Sequence, residues 1–202
     1  MRGFSLILAG SCALAACASN PAPVDTAAPV APMAADPNNP MMAPGYMAMA
    51  ASSDQFEIQS SQLALQASQN PAIQGFARMM IAHHQATTSN LAAAAQSAGM
   101  APPAPTLMPA EQALLDQVRA AGSGPAFDEA YKAAQVQGHQ SALQLHQGYA
   151  GGGDVAALRQ VAGAAVPIVQ QHLTTAQNLN VMAMPPMQQP TNTAPVRSGE
   201  RG

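Results

Sequence analysis

The sequence has 202 residues, 48% of them hydrophobic but only 8% charged and 3% aromatic, with a formal net charge of −3. Positive charge this sparse forms no basic patch, which excludes a nucleic-acid partner. Both cysteines fall within the first seventeen residues, so no disulfide framework staples the remainder and the fold must stand on its apolar core.

Arg2 followed by the apolar run Phe4 to Ala16 reads as an export signal over residues 1–16. The run is too short to cross a hydrocarbon layer of about 30 Å. Leu14-Ala15-Ala16-Cys17 resembles the lipobox of bacterial lipoproteins, which implies cleavage before Cys17 and a diacylglycerol on its sulfur. The alternative is an ordinary cleaved signal with Ala13-Leu14-Ala15 as its small-residue site. Lipidation at Cys17 makes the membrane a partner through an N-terminal anchor. Ala18, standing where an aspartate would signal retention, implies by the same resemblance an exported protein on the periplasmic face of the envelope, anchored in the outer membrane. Residues 17–45, rich in Pro and Ala, are expected to form a tether, and residues 185–202 a disordered tail. Between them, residues 46–184 have the size of one domain.

The first helix of that domain is expected from about Tyr46 to Gln69, with Met49, Phe56, Leu63 and Ala67 on one face and Glu57 on its flank. Ser52, Ser53 and Ser60 thin the stripe. The second helix has the clearest signals. Asn70 can cap it, Pro71 suits its first position, Gly99 can end it, and Ile73, Phe76, Ala77, Met80, Leu91 and Ala95 form its apolar face with His84 inside. His83 points away from that face and is expected in solvent. With only Gln69-Asn70 between them, the two helices form an antiparallel hairpin. A long, proline-broken segment follows, carrying a short helix from Ala110 to Ala121. The third helix is expected from about Ala126 to Ala150, with Gln135 and His139 at the edge of its apolar face. The fourth runs to about Val181, capped by Asp154, with Pro167 inside it and His172 on its stripe.

Two hairpins joined by a long crossover give an all-α, ferritin-like four-helix bundle with a short extra helix. The chain resembles the ferritin-like family of bacterial exported proteins classed as a domain of unknown function. Three pieces carry the resemblance: Phe76-Ala77 with Met80 and His84; Phe127-Asp128 with Tyr131, Gln135 and His139; and Pro167 with His172 and Leu173. The run Met79 to Gln85 also resembles a second, likewise helical, exported family, which the later pieces fit less well.

Bundles build metal sites from side chains on facing helices. Here the candidate ligands are Glu57, His84, His139 and His172. Glu57 lies twelve residues before Gln69, His84 thirteen after Pro71 and His139 thirteen after Ala126, so the three share a level about 20 Å from the hairpin turn. His172 counts eighteen after Asp154, where His139 is eleven before Ala150. That difference sets His172 roughly 10 Å away along the axis, near Asp128 and Tyr131. Histidines with one carboxylate suit a single transition-metal ion as cofactor. A di-iron carboxylate centre does not fit, because Ile81 and Val169 stand where a Glu-x-x-His pair needs glutamate.

Three other readings stay open. The same residues can form a purely structural polar layer. Met41, Met42, Met47, Met49, Met182, Met184 and Met187 offer thioethers for periplasmic copper handling. The domain can also be an interaction lipoprotein that binds no ion. No Ser-His-Asp set, thiol nucleophile or phosphate loop is present, so the sequence leans away from an enzyme.

Replacing Cys17 by serine should move the protein into the soluble envelope fraction and abolish incorporation of labelled fatty acid. Unchanged membrane association in that variant would overturn the lipid anchor.

Overall fold

The computed structural model describes residue 36 and residues 38–182, and among these it contains five helices and no strand. The signal, Cys17, most of the tether and the tail lie outside the described residues. The helices are α1 (Ala43–Ala67), α2 (Pro71–Ser97), α3 (Pro109–Ala120), α4 (Pro125–Gly152) and α5 (Ala156–Gln177). None is long and apolar enough to cross a membrane.

The helix ends follow local chemistry. Asn70 accepts a hydrogen bond from the Ala72 N–H at 2.9 Å and Pro71 opens α2. At its other end Gly99 takes φ 72°, and the Met100 N–H returns to the Ala95 carbonyl, the six-to-one bond of a Schellman stop. Proline also opens α4, one residue before the predicted start. Helix α1 begins at Ala43, three residues early, so the end of the predicted tether is helical. The expected Asp154 cap of α5 is not formed. Val155 is still extended and holds the cap position, while the Asp154 carboxylate accepts the Tyr149 hydroxyl at 2.8 Å. That arrangement folds the Tyr149 ring over Gly153, where a Cβ would come within 2.5 Å of it.

Polar contacts fix the helix directions. The Gly124 N–H donates to the Ala67 carbonyl, joining the start of α4 to the end of α1. Lys132 reaches the Leu179 carbonyl, and Asn70 the Asn180 carbonyl, so the end of α5 meets the starts of α4 and α2. Every neighbouring pair around the bundle (α1 with α2 and α4, α5 with α2 and α4) is therefore antiparallel, and α2 and α4 run parallel across the diagonal. The crossover from α2 to α4 travels the bundle's length, with α3 packed on α1 and α4. Ser52 holds it down: its hydroxyl accepts the Met108 N–H at 2.7 Å and donates to Glu111 at 2.9 Å. Two of the three serines expected to thin the stripe of α1 thus lie inside, Ser52 and Ser60 both fully buried, while Ser53 is half-buried.

The core has two halves. Phe56, Ile73, Phe76, Met80, Leu115 and Tyr131 belong to the one near the α1–α2 turn. Tyr46, Met47, Leu91, Tyr149 and Leu158 belong to the other, where the Tyr46 and Tyr149 rings stack at 3.9 Å. Asp54, Glu57, His84, Gln135, His139 and His172, all buried polar residues, belong to neither half.

Ser52→Ala should destabilise the domain by about 1–3 kcal/mol, because it leaves the half-buried Met108 N–H without its partner as well as removing a donor to Glu111. Urea unfolding measures this, and an unchanged midpoint would show that the crossover is held elsewhere.

Candidate metal centre

The polar residues between the two apolar halves come from all four long helices. Asp54 and Glu57, three residues apart on α1, share a face; α2 contributes His84, α4 contributes Gln135 and His139, and α5 contributes His172. One ring nitrogen from each of His84, His139 and His172 lies within 4.8 Å of the other two.

His172 therefore stands with the other two histidines, not 10 Å away. The displaced count had its origin in the helix ends. With α4 running to Gly152 and α5 starting at Ala156, His139 is thirteen residues from its end and His172 sixteen from its start, a difference of about 4.5 Å. Side chains tilt toward the N-terminus of their own helix, and because α4 and α5 are antiparallel the two imidazoles tilt toward each other. Tyr131, expected beside His172, instead shares a hydrogen bond with Ser61 at 2.7 Å.

Each ring has one nitrogen fixed by a partner and one with none. His84 Nδ1 donates to the Asp54 carboxylate at 2.8 Å. His139 Nδ1 donates to the Gln135 carbonyl at 2.8 Å. His172 Nε2 lies 2.7 Å from Nδ1 of His83. His83 is exposed, as expected, yet its ring reaches inward to a buried neighbour. The remaining nitrogens, His84 Nε2, His139 Nε2 and His172 Nδ1, are buried without a hydrogen-bond partner among the described residues. So are both oxygens of Glu57 and the Oε1 of Gln135, whose amide donates to Ser60. Glu57 Oε1 stands 3.4 Å from His139 Nδ1, a nitrogen whose proton is already committed to the Gln135 carbonyl. A Cβ at position 138 would come within 3.0 Å of Glu57 Oε1 and 2.9 Å of the Phe56 ring, so Gly138 makes the room that this carboxylate fills.

The electrostatics separate the histidines. Burial pushes His172 down to about 3, assisted by repulsion from His84, His139 and His83. Burial also opposes charge on His84, but the Asp54 hydrogen bond and the negative charges of Glu57 and Asp54 outweigh it and raise its pKa. Asp54 is held in turn by the hydroxyls of Thr87 and Thr88 at 2.8 and 2.9 Å. Sequence reasoning did not find Asp54, His83, Thr87 or Thr88. The one signal available was spacing: Asp54 lies one helical turn before Glu57, and the threonines one turn after His84.

Three imidazole nitrogens this close can hold one divalent transition-metal ion, whereas Glu57, expected as a fourth ligand, is not among the grouped donors and stands beside His139 Nδ1. In each ring one nitrogen is held by an oxygen or by a second imidazole, the kind of outer contact that orients ligating histidines, and the other is left unpaired.

Residues 28–179 match the family described as a domain of unknown function, DUF4142. No curated protein and no solved structure matches the chain.

The pH dependence of stability follows from the signs. His172 at about 3 and His146, which burial lowers to about 4, take up protons more readily in the unfolded chain, so both favour unfolding as pH falls from about 6.5. His84 acts in the opposite sense: its stabilisation is present below about 6.5 and is lost as pH rises through its raised folded value. The urea midpoint should drop between about pH 6.5 and 4.5. The drop should be shallower in His146→Gln, which keeps a partner for Tyr46. Equal slopes would show that His146 is not held neutral.

Proposed function

The chain belongs to the DUF4142 family, whose match takes in three quarters of its length, and we propose that in this member the domain holds one transition-metal ion through His84, His139 and His172, with the Glu57 carboxylate beside His139 supplying negative charge next to the site. The observation that carries this reading is the convergence of three histidines whose unpaired nitrogens are buried. A polar layer serving structure alone would pair those atoms, because each buried orphan costs about 1–3 kcal/mol. Here each ring has a partner on one nitrogen only.

Nitrogen and oxygen donors suit zinc, iron, nickel or copper(II), while copper(I) prefers sulfur. The methionine set gives this reading no support: Met47 is buried in an apolar half, and Met184 and Met187 lie outside the described residues. Binding also involves a proton. With its pKa raised, His84 must release its Nε2 proton to ligate, so affinity should weaken in acid. The antiparallel helix pairs and long crossover support a ferritin-like reading of the bundle, although the donor set differs from the paired Glu-x-x-His of di-iron members. The signal and Cys17 add to the proposal an envelope lipoprotein, tethered to the periplasmic face of the outer membrane. It is a binding protein in this reading, with no reaction assigned.

Elemental analysis of protein refolded with zinc, copper, iron and manganese should find about one ion per chain. His84→Ala, His139→Ala and His172→Ala should each remove it. Asp54→Asn should weaken affinity by about 10–100-fold, since Asp54 orients His84. A chain that takes up no ion and melts unchanged in the presence of all four would overturn the proposal and favour an interaction lipoprotein.

A further inference from the structure

A cavity of about 510 Å³ lies among α1, α2, α4 and α5, with Tyr46, Asp54, Leu91, His146, Val161 and Ile168 in its wall. Its cause is a lack of bulk. Where α2 and α5 face one another, five of the twelve lining residues are alanine, Ala93 and Ala94 on one side and Ala157, Ala164 and Ala165 on the other. None of the three clustered histidines lines it; Asp54 and the Thr87 that holds it are shared with the surroundings of the metal centre.

The wall defines what can enter. It contains no lysine or arginine, and its one carboxylate, Asp54, already accepts from His84, Thr87 and Thr88. An anionic ligand would meet a negative charge with nothing to offset it, and a cation would compete for a carboxylate whose oxygens are all engaged. His146 is the inner polar group available. Its Nδ1 pairs with the Tyr46 hydroxyl at 3.1 Å, and its Nε2 has no partner among the described residues. The other polar lining residues, Asn90, Ser97 and Gln160, are neutral. Ile168 is among the few large apolar side chains exposed on the described surface, and it lines this cavity. A volume of this size lies in the range of small-molecule pockets, about 300–1,000 Å³.

We propose that this cavity binds a small uncharged molecule with an apolar body and one hydrogen-bonding group, of the alkylphenol or medium-chain alcohol class. The polar end meets His146, and the body lies along the alanine-lined faces of α2 and α5. This site is independent of the metal reading, because its wall contains no ligand of the ion.

The test uses the full chain produced without its lipid, with the neutral fluorophore N-phenyl-1-naphthylamine as probe. Fluorescence should rise saturably, and 4-butylphenol should displace the probe. Its anionic relative 4-butylbenzoate should compete at least roughly tenfold more weakly, since the wall offers no cation. Ala164→Phe places a ring in the cavity from an exposed position, so the domain should melt normally while probe affinity falls by about tenfold or more. If Ala164→Phe does not fold, His146→Phe serves in its place, and it should erase the preference for 4-butylphenol over butylbenzene. Absence of saturable binding, equal competition by the benzoate, or full affinity in a folded Ala164→Phe chain would each overturn the inference. Retained probe binding in a chain that takes up no metal would leave it standing while the metal proposal fails.

Discussion

Burying imidazole nitrogens that have no partner is the constraint around which this bundle is arranged. An unpaired polar atom away from water costs about 1–3 kcal/mol, and three of them belong to neighbouring rings packed at centroid distances of 5.4 to 5.7 Å. Much of the surrounding structure serves to aim those rings. Asp54 fixes His84 and is fixed by two threonines; a backbone carbonyl fixes His139; His83 reaches inward for His172. Gly138 clears a place for Glu57. The two apolar halves supply the cohesion that lets this polar layer stay buried.

The antiparallel order has a direct bearing on the layer. Neighbouring helices that run in opposite directions tilt their side chains toward one another, so ligands can start from slightly different heights and still meet. His139 and His172 do this. The crossover allows it by carrying the chain back along the bundle before α4 begins. Ser52 binds that crossover through both its donor and its acceptor capacity, five residues before Glu57 on the same helix.

The sequence made the helices legible where their ends are written locally. Asn70 with Pro71 and the left-handed Gly99 define α2 without reference to the rest of the molecule. It was less legible where an end depends on packing. Asp154 has the chemistry of a cap, but the Tyr149 hydroxyl claims it, and the shift in the ends of α4 and α5 was enough to misplace His172 by about one turn. Asp54 was hidden for a related reason. Helix α1 buries Ser52, Asp54, Glu57, Ser60 and Ser61, so its inward face has no clean apolar period, and a buried aspartate there looks like a surface residue until its partner on α2 is seen. Glu57, His84 and His139 could be aligned from sequence because each was counted from an end that local signals place to within about two residues: the end of α1 and the proline-opened starts of α2 and α4.

The three histidines come from three different helices and are separated in sequence by 55 and 33 residues. No short stretch of the unfolded chain can gather them, and His83-His84 is the only local pair it offers. A closing loop of that length carries an entropic penalty that is met only once both hairpins and the crossover are in place. An ion caught at this centre would thus report tertiary structure as a whole, with α5, the last helix among the described residues, completing the chelate. Retention of the ion would signal that α5 had been made and had docked, a quality mark that a chain cut short before it could not display.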